Sequence, residues 1–368
     1  MPDFGRFFLP GPTEVHPEIL ETLTRPVIGH RGAEMVDLME SLDRPLRRLF
    51  RTERPVYIST SSATGLMEAA IRNCVGRRVL CLVCGAFSAR FFEIAEACGV
   101  EADRLDVEWG ESNEPAELAA ALAQQDYDAV SVVHSETSTG VLNPIAALAA
   151  TIRDTSPQTL LLVDCVSSLA ATPVEVDRWG LDFALAGTQK ALALPPGLAL
   201  GAASQRAFDR SGGRPGRGVY FSFEAFEEAV AKRQTANTPA VSLFYALAFQ
   251  LQRIEAEGLE ARWSRHRAMA ERTWGWVDEV SERHGLDMQV LASRERRSPS
   301  ITCVAVSGKL GGVDIVRRLG QRGYSIAPGY GKLKESSFRI GHMGDHTLEE
   351  LEQLLELLEA VLIEGERV

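Results

Sequence analysis

Between residues 56 and 164 the chain alternates two patterns of different period, and this alternation restricts the fold more than any other feature. Short, nearly continuous apolar runs at 56–60, 79–83, 129–134 and 160–164 have the length and composition of strands, and a more polar strand is expected near 102–107. The segments between them, 64–74, 86–98, 114–124 and 144–153, carry their apolar residues at helical spacing. Strands that are apolar throughout are buried on both faces, and helices between successive strands supply the cover. The pattern predicts a doubly wound α/β fold with a mainly parallel sheet.

Other signals place the remainder. Gly11-Pro12-Thr13 and His16-Pro17-Glu18 predict a loop leading into a helix, residues 26–32 a break, and 33–50 a further helix. After a Gly-rich loop at 212–218 come a charged helix over 224–232 and a long helical region over 242–280. Strand signals at 300–306 and 338–340 and a final helix over 348–363 predict a smaller α+β domain. The expected division is an N-terminal segment 1–18, a large α/β domain 19–258 and a small domain 259–368.

Within this frame the stretch 182–204 stands out. An apolar run, 183–186, is broken by Gly187-Thr188-Gln189 just before Lys190, the sole charge among uncharged neighbours. An ammonium withdrawn from water loses hydration, so such a lysine acquires a bonded partner or a lowered pKa, and a lowered pKa suits a Schiff-base lysine. A lysine that snorkels from a strand end to the surface would read the same way locally.

Other polar residues cluster where the strands end, the region in which open α/β sheets bind ligands. Ser61-Ser62-Ala63-Thr64-Gly65 follows a strand and opens a helix, so hydroxyls and free N–H groups could hold a phosphate at the positive end of the helix dipole. Taken by itself the segment reads as an ordinary capping sequence. The run His134 to Gly140 ends another strand, and Asp164 ends LLLVD. A carboxylate there is either a hydrogen-bonded turn aspartate or the partner of the protonated pyridine nitrogen of pyridoxal phosphate. A phosphate seat, a pyridinium partner and a desolvated lysine together favour the cofactor.

Several function classes are disfavoured. A net charge of −11 without a basic stripe argues against a nucleic-acid partner. No apolar run is long enough to cross a bilayer, and the start MPDFGRFFLPGP lacks a secretion leader, so the expected location is cytoplasmic; the terminal GERV is not a peroxisomal signal. Cys81 and Cys84 fall inside a strand-like run, where core packing is expected rather than redox or zinc chemistry. His342, Asp345 and His346 resemble a metal set, but Thr347 and Glu350 are spaced as a capping box for the last helix, and no metal is expected. No G-x-G-x-x-G follows an early strand, which disfavours a nicotinamide cofactor.

The segments LPGPTEVHPEIL, SSATGLMEAAI, HSETSTGVLNP, LLVDCVSSLAATPVEVDRWGLDFALAGTQKALALPPGLAL, NTPAVSLFYAL and FRIGHMG cover nearly the whole chain. Through them it resembles the class V aminotransferases of the fold-type I pyridoxal-phosphate superfamily, most closely the alanine–glyoxylate/serine–pyruvate branch. The resemblance implies that Lys190 is the Schiff-base lysine and Asp164 the pyridinium partner. Ser62, Ala63 and Thr64 would form the phosphate cup with Gln189 beside it; Phe87 would stack on the cofactor, Val166 would pack on its other face, and Thr137 would approach the ring hydroxyl. Thr238 would reach the phosphate of a neighbouring subunit in a homodimer. Arg339 would bind the substrate α-carboxylate, with Gly11 also at the substrate. The chain departs from that branch at Thr235, where the branch has a tyrosine, and at Thr64, where it has a histidine.

The implied activity is transamination between alanine or serine and glyoxylate or pyruvate. Alternatives within the family use an aspartate, phosphonate or ureidoglycine donor. A lyase of the cysteine desulfurase type shares the fold but needs a mobile cysteine, and Cys303 sits in a strand-like run.

Overall fold

The structure is a computed structural model that describes residues 4–366. Residues 1–3, at the start of the segment expected to lack a leader, and residues 367–368, at the end of the GERV tail, lie outside the described residues.

The chain enters through helices α1 (Pro17–Thr22) and α2 (Ala33–Phe50), then alternates: β1 (Val56–Ser59), α3 (Ala63–Cys74), β2 (Arg78–Val83), α4 (Ala86–Ala97), β3 (Glu101–Asp106), α5 (Pro115–Gln124) and β4 (Ala129–Val133). A short hairpin, β5 (Ser135–Glu136) and β6 (Val141–Leu142), precedes α6 (Ile145–Thr155), β7 (Leu160–Asp164), α7 (Val176–Trp179), β8 (Phe183–Gly187) and β9 (Ala199–Ala203). The central sheet runs β1-β9-β8-β7-β4-β2-β3. All of its strands are parallel except β9, which is antiparallel to both β1 and β8.

The strands β1, β4, β7, β8 and β9 are buried along their whole length, whereas the edge strand β3 keeps exposed positions. That is the burial expected when helices cover both faces of a parallel sheet. The strand β9 is an addition to the predicted pattern. Its sequence, ALGAA, has little β-branched character, and its place in the sheet comes from pairing on both sides rather than from propensity.

Beyond the sheet come α8 (Gln205–Ser211), α9 (Phe223–Ala231), α10 (Val241–Glu257) and α11 (Leu259–His284). The helical region predicted as one is therefore two, divided at Gly258, whose φ of +86° no helical residue adopts. The small domain contains β10 (Met288–Val290), β11 (Ile301–Val306), α12 (Gly312–Gly320), β12 (Ala327–Pro328), β13 (Ser337–Gly341) and α13 (Leu348–Glu366), with an antiparallel sheet ordered β10-β11-β13-β12. Its core joins Met269, Trp276 and Val277 of α11 to Phe338 and Ile340 of β13 and Leu351 to Leu362 of α13. The capping box before α13 is present: the Thr347 amide donates to Glu350 Oε2 at 2.8 Å and the Glu350 amide to Thr347 Oγ1 at 3.3 Å.

The N-terminal segment ties both domains together. The Phe8 amide donates to the Ser325 carbonyl and the Gly341 amide to that of Phe8, which attaches the segment to the small domain, while the Thr13 amide donates to Gln189 O beside the large sheet.

Candidate active site

Five of the parallel strands release the chain at the same edge of the sheet. The strand order turns there: from β2 the chain moves outward to β3, and from β4 it moves the other way through β7 and β8. Such a switch leaves a crevice outside the carboxyl ends. A cleft of about 470 Å³ occupies it, lined by Ser62, Ala63 and Thr64 after β1, Phe87 after β2, Thr137 after β4, Asp164 and Val166 at β7, and Gln189 and Lys190 after β8.

Lys190 is 8 % exposed, and its Nζ donates to the carbonyl of Pro10. Burial, with the Arg339 charge adding to it, lowers its pKa to about 8, against the raising effect of Asp164 and Glu136. The lysine thus does not snorkel to the surface. Its main chain is held from two sides: Thr13 Oγ1 donates to Lys190 O at 2.9 Å, and Arg262 Nη2 on α11 donates to Ala191 O at 2.7 Å. Gly11 borders the lysine so closely that a Cβ there would lie 2.5 Å from Nζ.

Asp164 is 3 % exposed and accepts the Val166 amide at 2.7 Å. Burial pushes its carboxyl up to about 7, since one amide and the more distant charges of Lys190 and Arg90 offset the lost hydration only in part. A cation facing it would restore the ionised form.

The Ser62 side chain does not cap α3, contrary to the capping role that its sequence suggests: Ser62 occupies the N-cap position without a side-chain hydrogen bond. The first turn of α3 faces the cleft, with Ser62 and Thr64 exposed. This is the end of a helix at which an anion is stabilised.

Phe87 occupies the first turn of α4, with Lys190 Nζ 5.9 Å from its ring centroid. Thr137 Oγ1 is 2.6 Å from Ser167 Oγ, and its carbonyl accepts Arg339 Nη1 at 3.2 Å. Arg339, on β13, also donates to Pro328 O at 3.0 Å. It is 7 % exposed and sits beyond the residues that line the cleft, reaching it through Thr137. Thr238 lies elsewhere: it is exposed and outside this chain's own cleft.

Three residues of the site were not singled out from sequence. Glu136 is wholly buried beneath Phe87 and accepts five hydrogen bonds, from the amides of Phe87, Ser88 and Ser138 and the hydroxyls of Ser88 and Ser138. Its one signal is an acid within the uncharged run at a strand end. Arg90, three residues after Phe87 on α4, lines the cleft. Tyr330, in the loop before β13, stands with its ring 5.3 Å from Phe87 and 5.4 Å from the Arg339 guanidinium. No pattern in GYGK marks it.

The residues read as possible metal ligands have other partners: Asp345 pairs with Arg262 at 2.8 Å, His342 contacts Thr302 and Pro299, and His346 stacks on Phe8. The thiols of Cys81 and Cys84 are buried and pushed up to about 12, and that of Cys303 up to about 11. Among the described residues no helix is long and apolar enough to cross a membrane.

The donor set fits pyridoxal phosphate. A helix start without a side-chain cap suits its phosphate, a buried carboxylate without a cationic partner suits its pyridine nitrogen, an aromatic ring suits its face and a desolvated lysine suits its aldehyde.

Comparison with known proteins agrees. Residues 19–340 match the family model described as Aminotransferase class-V. The chain is similar to the protein named soluble hydrogenase, small subunit, of Synechococcus sp. (strain PCC 6716), with 35% identity over 99% of this chain and 94% of that one. It is also similar to serine–glyoxylate aminotransferase of Methylorubrum extorquens, with 31% identity over 94% and 87%. Among solved structures, aspartate aminotransferase of subgroup IV from Thermus thermophilus superposes with a TM-score of 0.88 at 34% identity, covering 98% of this chain and 99% of that one.

Proposed function

The chain belongs to the class V aminotransferase family, pyridoxal-phosphate enzymes of fold type I that move an amino group between an amino acid and a 2-oxo acid, and from that premise we propose that its donor is alanine or serine and its acceptor glyoxylate or pyruvate. The observation that carries the proposal is the closeness of Tyr330 to both Phe87 and Arg339, which sets two aromatic rings beside the carboxylate seat. The relative named serine–glyoxylate aminotransferase supports serine as donor and glyoxylate as acceptor.

Bound pyridoxal phosphate supplies an electron sink and an aldehyde that carries the amino group. The chain supplies the rest. Asp164 would hold the pyridine nitrogen and keep it protonated, while the first turn of α3 and the hydroxyls of Ser62 and Thr64 would hold the phosphate. The Arg339 guanidinium takes the substrate α-carboxylate in a charge-assisted pair, which orients the α-carbon toward Lys190. With its pKa near 8, Lys190 Nζ can accept the α-carbon proton and release it again close to neutral pH.

We further infer a cytoplasmic homodimer in which the exposed Thr238 reaches the partner's phosphate seat, an arrangement supported by the exposed apolar side chains of Val27, Val219 and Tyr220. The test of the substrate assignment is a screen of amino donors against glyoxylate and pyruvate. Alanine and serine should give the highest kcat/KM, and a preference for long or aromatic donors would overturn the assignment.

A further inference from the structure

We propose that Arg262 is a positioning residue for Lys190: through the carbonyl of Ala191 it fixes the turn that follows the lysine, and so sets where the amine stands in the cleft. The proposal rests on the transaminase reading, in which Lys190 bonds to the cofactor aldehyde, and extends it to a side chain on α11 that lines no part of the cleft.

The turn after Lys190 is strained. Ala193 has a φ of +50°, in the left-handed region that residues with a Cβ rarely adopt. Two main-chain bonds close the turn: the Ala193 amide donates to Lys190 O at 2.7 Å and the Leu194 amide to Thr188 O at 3.1 Å. Such a conformation persists only where its surroundings over-determine it, and here they come from distant parts of the chain. Arg262 Nη2 donates to Ala191 O at 2.7 Å and to Asp345 Oδ1 at 2.8 Å, while Nη1 donates to Glu257 Oε2 at 2.7 Å. The loop that carries Asp345 also presses on the turn, since a Cβ on Gly344 would lie 3.3 Å from that of Ala193.

Two features point from this ion pair to the lysine. Arg262 is 2 % exposed, and a pair of charges withdrawn from water contributes little net stability compared with apolar residues of the same volume, so its contribution lies in geometry. The two carboxylates are themselves held from other sides: Asp345 Oδ1 accepts Gln250 Nε2 at 3.1 Å, and Glu257 Oε1 accepts Arg265 Nε at 2.7 Å. The guanidinium therefore stands between anchored anions, and its planar fork passes their orientation on to Ala191 O. The helix α11 grips the Asp345 loop a second time, with the Gly344 amide donating to His266 Nε2 at 2.9 Å and Arg265 Nη1 donating to Gly344 O at 3.1 Å. The rival role is a brace that stabilises the fold and leaves the lysine unaffected.

Attachment of pyridoxal phosphate to the full-length apoprotein separates the two roles, because the Lys190 amine must meet the aldehyde to form the C=N bond, with loss of water. The rate is followed by stopped-flow absorbance, and stability by denaturant unfolding of the same proteins. Arg262→Met should slow attachment about ten- to a hundredfold, the scale expected when a reacting atom is displaced by about 1 Å. Asp345→Asn removes the charge opposite Arg262 but leaves the guanidinium on Ala191 O, so it should lower stability and keep attachment close to the wild-type rate. Where Arg262→Met does not fold, Arg262→Met/Asp345→Asn, which removes the uncompensated carboxylate, should show the same slowing. Attachment at the wild-type rate without Arg262, or equal slowing in Asp345→Asn, would overturn the positioning role and leave the brace. Failure of wild-type apoprotein to attach pyridoxal phosphate at Lys190 would defeat the proposed function and the inference together, whereas normal wild-type attachment with an unaffected Arg262→Met defeats the inference alone.

Discussion

Gly11 and Lys190 share a space with no room for a side chain between them: a Cβ on residue 11 would fall 2.5 Å from both the Nζ and the Cδ of the lysine, and its φ is +120°. Gly11→Ala therefore meets two obstacles, a backbone angle that L-residues rarely adopt and a collision with the reactive side chain. The flexible lysine can yield, but then its ammonium leaves the Pro10 carbonyl. The expected result is a loss of about 1–2 kcal/mol in apoprotein stability from the backbone angle, measured by denaturant unfolding. Slower covalent attachment of pyridoxal phosphate should accompany it. Wild-type values for both would show that residue 11 does not govern the lysine.

Lys190 predicts a pH dependence with a definite sign. Burial lowers its pKa from 10.5 to about 8, and the neutral amine is the form that attacks an aldehyde. The rate at which apoprotein attaches pyridoxal phosphate should rise with pH and level off above about 8, in stopped-flow absorbance records; a rise continuing past pH 10 would contradict the lowered pKa. Stability moves with it. Because the folded-state pKa is the lower one, the cost of burying the ammonium is fully present below pH 8 and fades as pH climbs toward 10.5. Lys190→Met apoprotein should therefore melt above wild type near neutrality, with the gap closing over that interval.

Glu136 should act through Phe87. Its carboxylate gathers the first amides of α4, so Glu136→Gln turns two acceptor oxygens into one and points an NH2 group at donors. Leaving buried donors unmatched should cost about 1–3 kcal/mol of apoprotein stability and weaken cofactor affinity. Phe87→Leu should weaken cofactor affinity with a smaller stability loss. If the two changes prove additive for cofactor affinity in a double-mutant cycle, the link between them is absent.

The features legible in the sequence are those whose cause is local. Lys190 was visible because it is the one charge among apolar neighbours, and Asp164 because it ends an apolar run. The α/β alternation was visible because helices and strands have different periods. What escaped depends on partners far along the chain. Three of the five donors that make Glu136 tolerable in the interior lie about fifty residues before it on α4, and Tyr330 owes its place to Phe87 and Arg90 on α4 and Arg339 on β13. The strand β9 was hidden because ALGAA has no strand-like composition and is fixed by its neighbours β1 and β8. The break between α10 and α11 rests on Gly258 alone, which an apolar period passes over.

The stretch from Phe8 to Thr13 is hydrogen-bonded to the small sheet at one end and to Gln189 at the other, and its Pro10 carbonyl accepts the Lys190 ammonium in between. Any rotation of one domain against the other must pull on this tether. A displacement that drew the Pro10 carbonyl away from Nζ would leave the ammonium without that acceptor, which favours loss of the lysine proton.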